Sequence, residues 1–266
     1  VYDSAVIAPD TDHTIDGFQG TPFSGHFDGN GHVIENLTID AGESSAGHSK
    51  DYFGLFGKIE DGSVKNLSVI NLDIDGFVSW YVGGICGYND GGLIQKCLTT
   101  GRISNSGGQS TGGMCGYHTR GIAEKSMARV DITSTEIPAK YTGGFCGFND
   151  NGNLRKSYAT GSVKGREYVG GFCGGFNASA TIERCYSVGR VTASGSSYGG
   201  FEGGCDPKGA IYFSDCFWDV ETSGIGSDGE GRYFSIGKST LKMHDPATFN
   251  TVWDYSTPVW YQPAYR

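Results

Sequence analysis

Along residues 64–74 the apolar side chains Val64, Leu67, Val69, Leu72 and Ile74 are separated by polar ones, the short-range alternation of half-buried strands. No comparable stretch carries the period of an amphipathic helix. Glycine, asparagine and aspartate interrupt the alternation about every ten residues, so the predicted strands are short and the turns frequent. The pattern then returns at a nearly fixed interval. GGICG (83–87), GGMCG (112–116), GGFCG (143–147) and GGFCG (170–174) recur, with weaker copies FGLFG (53–57) and GGFEG (199–203); their last glycines lie 27 to 31 residues apart. A second word keeps the same beat: ENLT, KNLS, QKCL, EKSM, RKSY, ERCY and SDCF, centred on Leu37, Leu67, Cys97, Ser126, Ser157, Cys185 and Cys216.

Such a unit divides into three strands and three turns, which predicts an all-β, right-handed parallel β-helix of about seven coils. Equivalent residues of successive coils then stack about 4.8 Å apart, and each column of the repeat becomes a ladder of side chains. A propeller or sandwich needs longer units, or antiparallel strands joined by hairpins; Asn30-Gly31 and Asn151-Gly152 have that turn chemistry, but at two repeat boundaries only. The whole chain, 1–266, reads as one domain: an N-terminal cap with the first strands (1–30), the coils (31–231) and a C-terminal cap (232–266). In that cap Met243, Phe249, Trp253, Tyr255 and Trp260 are expected to cover the last coil, whose strand edges are otherwise open.

Composition narrows the chemistry. The 45 glycines follow no triplet rule, so a collagen is excluded. With 29 acidic and 20 basic residues the net charge is -9, which opposes whole-molecule attraction to nucleic acid or an anionic membrane; an anionic partner must meet a local basic patch. No stretch approaches the roughly 20 apolar residues that span a bilayer, and Val1 to Asp10 has no charged segment leading into an apolar run. A mature, soluble monomer with no membrane insertion is the expectation. The eight cysteines form no C-x-x-C pair and no zinc-type cluster, so neither metal nor cofactor is expected. Cys86, Cys115, Cys146 and Cys173 share one column, Cys97, Cys185 and Cys216 another, and Cys205 stands outside both. They read mostly as free, buried thiols, with Cys185 and Cys216 the pair if a bridge forms. A nucleophilic cysteine would need a base, and His118 is the histidine that lies within a cysteine-bearing repeat word. FDGNG (27–31) has the look of a calcium loop without its further oxygen ligands, and reads as the closure of the first coil.

Taken together, FSGHFDGNGHVIENLTI (23–39), FGLFG, the four GGxCG words, KSYATGSV (156–163), ERCYSVGRV (183–191) and STLKMHDPATFNTVWDY (239–255) resemble the bacterial GLUG-motif repeat proteins. The resemblance implies a secreted or cell-surface bacterial β-helix, and it is specific for architecture rather than activity. It extends, more weakly, to small secreted β-helix alginate lyases. Where the family word has asparagine, Asn36 and Asn66 keep it, while Lys96, Lys125, Lys156 and Arg184 replace it in four successive coils. Long cations cannot lie unpaired in a dry core, so this column must point outward.

Two ladders can then carry chemistry. If Cys97, Ser126, Ser157 and Cys185 face inward, their neighbours face out: Lys96, Lys125, Lys156 and Arg184 on one side, and Leu98, Met127, Tyr158, Tyr186 and Phe217 on the other. Cations beside aromatic rings suit an acidic sugar chain, though stacked lysines also serve solubility alone. The second candidate lies in the turns before the GG words, where Tyr52, Tyr81, Tyr141, Tyr168 and Tyr198 recur beside Lys50, Trp80, Lys140 and Arg166; these tyrosines could equally cap the coil corners. Carboxylate pairs for glycoside hydrolysis reduce to Asp73 with Asp131 or Asp215 with Asp219. The leading expectation is a secreted lyase that cleaves a uronate polymer, alginate first, by β-elimination. Lys125, Lys156, Tyr158, Arg184 and Tyr186 would neutralise the carboxylate and move protons, with Lys96, Lys140, Tyr141, Arg166 and Tyr168 holding the acidic polysaccharide. The alternative is a non-catalytic carbohydrate-binding or adhesin-type module carrying the same ladders.

Overall fold

Alternation sorts the columns as a stacked solenoid requires: Leu67, Cys97, Ser126, Ser157, Cys185 and Cys216 are buried, and so are Val69, Thr99, Ala128, Ala159, Ser187 and Trp218 two residues further on. The computed structural model describes residues 1–42, 51–137, 139–177, 179–204, 212–226 and 235–249. Every strand pairing within it is parallel, coil upon coil, as in Leu98–Ser104 against Met127–Ser134. The protein is an all-β parallel β-solenoid, with only two four-residue α-helices, Val220–Ser223 and Thr240–Met243, and one 3-10 turn, Pro246–Thr248, among the described residues.

Four faces run along it. The first stacks His26–Asp28, Ser63–Lys65, Leu93–Gln95, Ile122–Glu124, Asn153–Arg155, Thr181–Glu183 and Tyr212–Ser214. The second, the widest, includes Ser68–Asp75, Leu98–Ser104, Met127–Ser134, Tyr158–Ala159, Tyr186–Ser187 and Phe217–Asp219. The third stacks Tyr81–Gly83, Ser110–Gly112, Tyr141–Gly143, Val169–Gly170 and Tyr198–Gly199, and the fourth Phe56–Glu60, Cys86–Asp90, Cys115–Thr119, Cys146–Asp150 and Cys173–Phe176. The sequence pattern predicts three strands per coil, but the GGxCG word splits one of them into the third and fourth faces. The reason is steric. A Cβ on Gly116 would stand 2.6 Å from the Val82 amide nitrogen, and one on Gly147 2.6 Å from that of Thr111, so only glycine lets the two faces meet backbone to backbone. Third and fourth faces hold five strands each, which limits the complete turns to about five where the repeat arithmetic predicts seven. The flanking repeats supply strands to the first two faces only.

Core volume is shared between facing columns. The variable residue of the GGxCG word, Ile85, Met114, Phe145, Phe172 and Phe201, is fully buried in each coil, and the three phenylalanine rings stack at 4.9 Å. Behind the GG pairs the facing column is Ala128 beside the Met114 word, Ala159 beside Phe145 and Ser187 beside Phe172, smaller than Val69 and Thr99 before them, and it widens again to Trp218 beside Phe201. The inward serines also keep the polar groups satisfied. Ser126 Oγ donates to Glu124 O at 2.9 Å and accepts from the Cys97 amide at 3.1 Å, and Ser157 repeats this against Arg155 O and the Ser126 amide.

The first repeat word is out of register. Val33 pairs with Ser68 and Thr38 with Asp73, so Leu37 stands beside Leu72 rather than Leu67, and Asn71 Nδ2 donates to Asn36 Oδ1 at 2.6 Å. Gly29 occupies the place that the repeat spacing gives to Asn36; a Cβ there would lie 2.6 Å from Asn66 O. At the other end Ile236–Lys238 adds a strand to Phe217–Asp219, and Phe249 packs on Phe217 and Tyr186 at 5.3 and 6.4 Å. Trp253, Tyr255 and Trp260 of the expected cap lie outside the described residues.

Candidate functional site: a cationic corner

Between the first and second faces the chain turns through one residue at positive φ in each coil: Asn66 (52°), Lys96 (53°), Lys125 (53°), Lys156 (50°), Arg184 (52°) and Asp215 (56°). The cations therefore stand at a corner and not within a strand, because a single left-handed residue reverses the inward and outward sense. Backbone bonds tie the corners into one column. The amides of Asn66, Lys96, Lys125, Lys156 and Arg184 donate to Gln95 O, Glu124 O, Arg155 O, Glu183 O and Ser214 O at 2.9 to 3.2 Å. A left-handed conformation costs a residue with a Cβ about 1–2 kcal/mol, least for asparagine, and like charges one coil apart repel. Cations here thus carry two costs that asparagine would largely avoid.

Lys96 is exposed, and Lys125, Lys156 and Arg184 are half-exposed. Arg184 Nη2 pairs with Glu183 at 3.2 Å, whereas Lys96, Lys125 and Lys156 form no salt bridge among the described residues, and Lys125 acts on Glu124 through its charge alone. In the adjacent outward column Arg155 Nε donates to Glu124 Oε2 at 2.8 Å and Gln95 donates to its other oxygen. Burial works to raise the Glu124 carboxyl, but the Gln95 hydrogen bond and the charges of Arg155 and Lys125 outweigh it and hold it below the ordinary glutamate value. Over four coils these two columns read Gln95, Glu124, Arg155, Glu183 and Lys96, Lys125, Lys156, Arg184, a local positive excess on an acidic chain.

The neighbouring ladder is in register, Leu98 on Met127, Met127 on Tyr158, Tyr158 on Tyr186 and Tyr186 on Phe217. It does not present its tyrosines as the sequence pattern implies. The rings of Tyr158 and Tyr186 stack at 4.7 Å and 8°, so each uses one face on the other, and Tyr158 is only 5% exposed. Burial raises the Tyr158 hydroxyl above its ordinary value, which makes it a poorer proton donor.

Lys140, Tyr141, Arg166 and Tyr168 are not part of this corner. They lie where the chain enters the third face, with Lys140 Nζ 5.1 Å from the Tyr141 ring and 5.9 Å from that of Tyr168, and Arg166 paired with Glu167 at 3.3 Å. Tyr198 leaves that column by one place, since it pairs with Val169. Lys50 lies outside the described residues. Facing these tyrosines is a column that sequence reasoning missed: Lys58, Tyr88, Tyr117 and Phe148, in register on the fourth face, with Tyr88 on Tyr117 at 4.9 Å and Phe148 on Tyr141 at 4.5 Å. Its signal was the residue directly after each GGxCG word. The two columns interlock into an aromatic seam over the glycines, and burial raises the hydroxyls of Tyr52, Tyr81, Tyr88 and Tyr117, the last also through a hydrogen bond to Asp150 at 3.0 Å.

The remaining candidates resolve as structure. Arg102 lies in register between Asp73 and Asp131 and binds Asp73 at 2.8 Å, Ser162 caps Asp131, and Asp219 caps the helix Val220–Ser223. Cys115 and His118 are sealed in the core at 1% and 0% exposure, out of reach of a polymer. The seven described cysteines are free, and burial raises the thiol of Cys97 to about 12.

Residues 139–164, which span one GGxCG word and the Lys156 corner, match the model of the GLUG motif. One repeat of the chain thus carries the GLUG motif. A solved structure of a candidate immunoglobulin A1 protease from Bacteroides ovatus is similar over 88% of this chain and 75% of that one, with a TM-score of 0.62 and 20% identity, a likeness of fold. Halomucin of Haloquadratum walsbyi is 40% identical over 58 residues, which are 21% of this chain and 1% of halomucin's length.

Proposed function

We propose that this GLUG-repeat solenoid is an extracellular or cell-surface module that binds an acidic polysaccharide along its cationic corner. One observation carries the reading: in four successive coils a strained corner position holds a cation, and three of the four form no salt bridge among the described residues. A solubilising role would be met as well by Asn66 and Asp215, which occupy the same column without stacked like charge. Halomucin's partial likeness and the GLUG repeat support a surface location. Binding to alginate, pectate and hyaluronan, measured by affinity electrophoresis over a salt series, should weaken as salt rises, and the triple change Lys96→Asn, Lys125→Asn, Lys156→Asn should cost about tenfold or more. Asparagine keeps the corner geometry, so equal binding by this variant would sink the reading.

Lyase chemistry at the same corner is the second reading, favoured by the position of Lys156 and Arg184 two residues from Tyr158 and Tyr186. It needs a carboxylate neutraliser, a base at C5 and an acid at O4. With Tyr158 buried, Lys156 and the half-exposed Tyr186 are the groups left for proton transfer. Ultraviolet absorbance of the unsaturated uronate end created by elimination decides between binding and cleavage.

A further inference from the structure

The corner column has a spacing as well as a sign, and the ligand that this spacing selects depends on the corner being the polysaccharide-binding site proposed above. Coils of a parallel solenoid rise about 4.8 Å, and the backbone bonds from Lys96, Lys125 and Lys156 to the following coil leave no coil skipped. One cation therefore arrives per coil. An extended 1,4-linked hexuronate advances about one ring length per residue, which is close to one coil. We propose that the ligand is a linear homopolyuronate, with a carboxylate on every residue, lying along the solenoid axis so that four consecutive residues meet Lys96, Lys125, Lys156 and Arg184. Carboxylates of such a chain alternate in direction, and the flexible lysine stems lean to either side of it. Leu98 and Met127, half-exposed beside the corner, offer apolar surface to the C–H faces of the rings.

The same column sets the length of the site. Asn66 brings no charge at one end, and Asp215 repels a carboxylate at the other, so a fifth residue gains little. A polymer charged only on alternate residues, such as hyaluronan, leaves two of the four cations without a counter-charge. Specificity here is a matter of charge period rather than of sugar identity.

The test uses the chain as it stands, with calorimetric titration of oligogalacturonates of two to six residues and of hyaluronan fragments matched for number of charges. Affinity should rise with each residue up to four and then level, and a hyaluronan fragment with four charges should bind about tenfold or more weakly than the tetragalacturonate. The double change Lys125→Asn, Lys156→Asn should reduce the tetramer to the affinity of the dimer and flatten its salt dependence, with the unfolding midpoint as the check on folding. Equal affinity for the two polymers at equal charge, or affinity still climbing at six residues, overturns the charge-period inference while the lysine dependence keeps the binding site in place. If neither polymer binds, or the lysine variants bind as the wild type does, both the inference and the site it rests on fall.

Discussion

Lys125 is bound by two demands, a left-handed backbone at φ 53° and a charge beside Glu124. Replacement by asparagine should leave stability within about 0.5 kcal/mol, since Asn66 takes the same conformation in the same column. Lys125→Val should cost about 1–2 kcal/mol, because a β-branched side chain crowds the carbonyl at positive φ; denaturant unfolding separates the two. Glu124 gives the corner a pH dependence of defined sign. Its carboxyl lies below the ordinary 4.5 when folded, so the stability it contributes is complete above that value and is lost as the pH falls through the folded one. Glu124→Gln should therefore be less stable than wild type at neutral pH, and the gap should close as the pH drops below 4.5. A gap independent of pH would mean that packing, and not charge, is what Glu124 supplies.

The GGxCG word sets the bend between the third and fourth faces, and each of its letters has a separate physical task. The second-last and last positions put a thiol in the core and a glycine against the neighbouring strand. Gly147→Ala should destabilise by about 1–3 kcal/mol, since the added methyl meets backbone and nothing flexible can yield. Stacked thiols at Cys86 and Cys115, with sulfurs 3.5 Å apart, are packing elements. Mass measurement after alkylation in denaturant, with and without reductant, should find at least four free thiols; four intact bridges would contradict the free ladder. The same word positions the aromatic seam. Tyr88, Tyr117 and Phe148 follow its last glycine and fill the angle that the glycines create, and Tyr81 and Tyr141 pack their rings against them.

At the scale of the whole molecule, charge is segregated: a chain of net charge -9 keeps one corner positive over four coils. Binding of a polyanion should therefore fall steeply with ionic strength, while thermal stability in the same salt series changes little, since the core is apolar. Much of this was legible in the residues themselves. The interval near thirty, the inward column from Leu67 to Cys216 and the in-register ladder from Leu98 to Phe217 follow from the period of the sequence, because in a stacked solenoid equal spacing in sequence becomes neighbourhood in space. The position of Leu37 was not legible, since the letters Asn-Leu recur at two corners and only strand pairing tells which one a copy occupies. Nor was the division into four faces, which depends on how closely two backbones approach across the glycines, nor the burial of Tyr158, which depends on the ring stacked upon it. Sequence period alone determined which residues share a ladder. Which ladders stand in solvent, and which are consumed in packing, was decided only by the tertiary structure, because exposure depends on what the rest of the chain lays against each column.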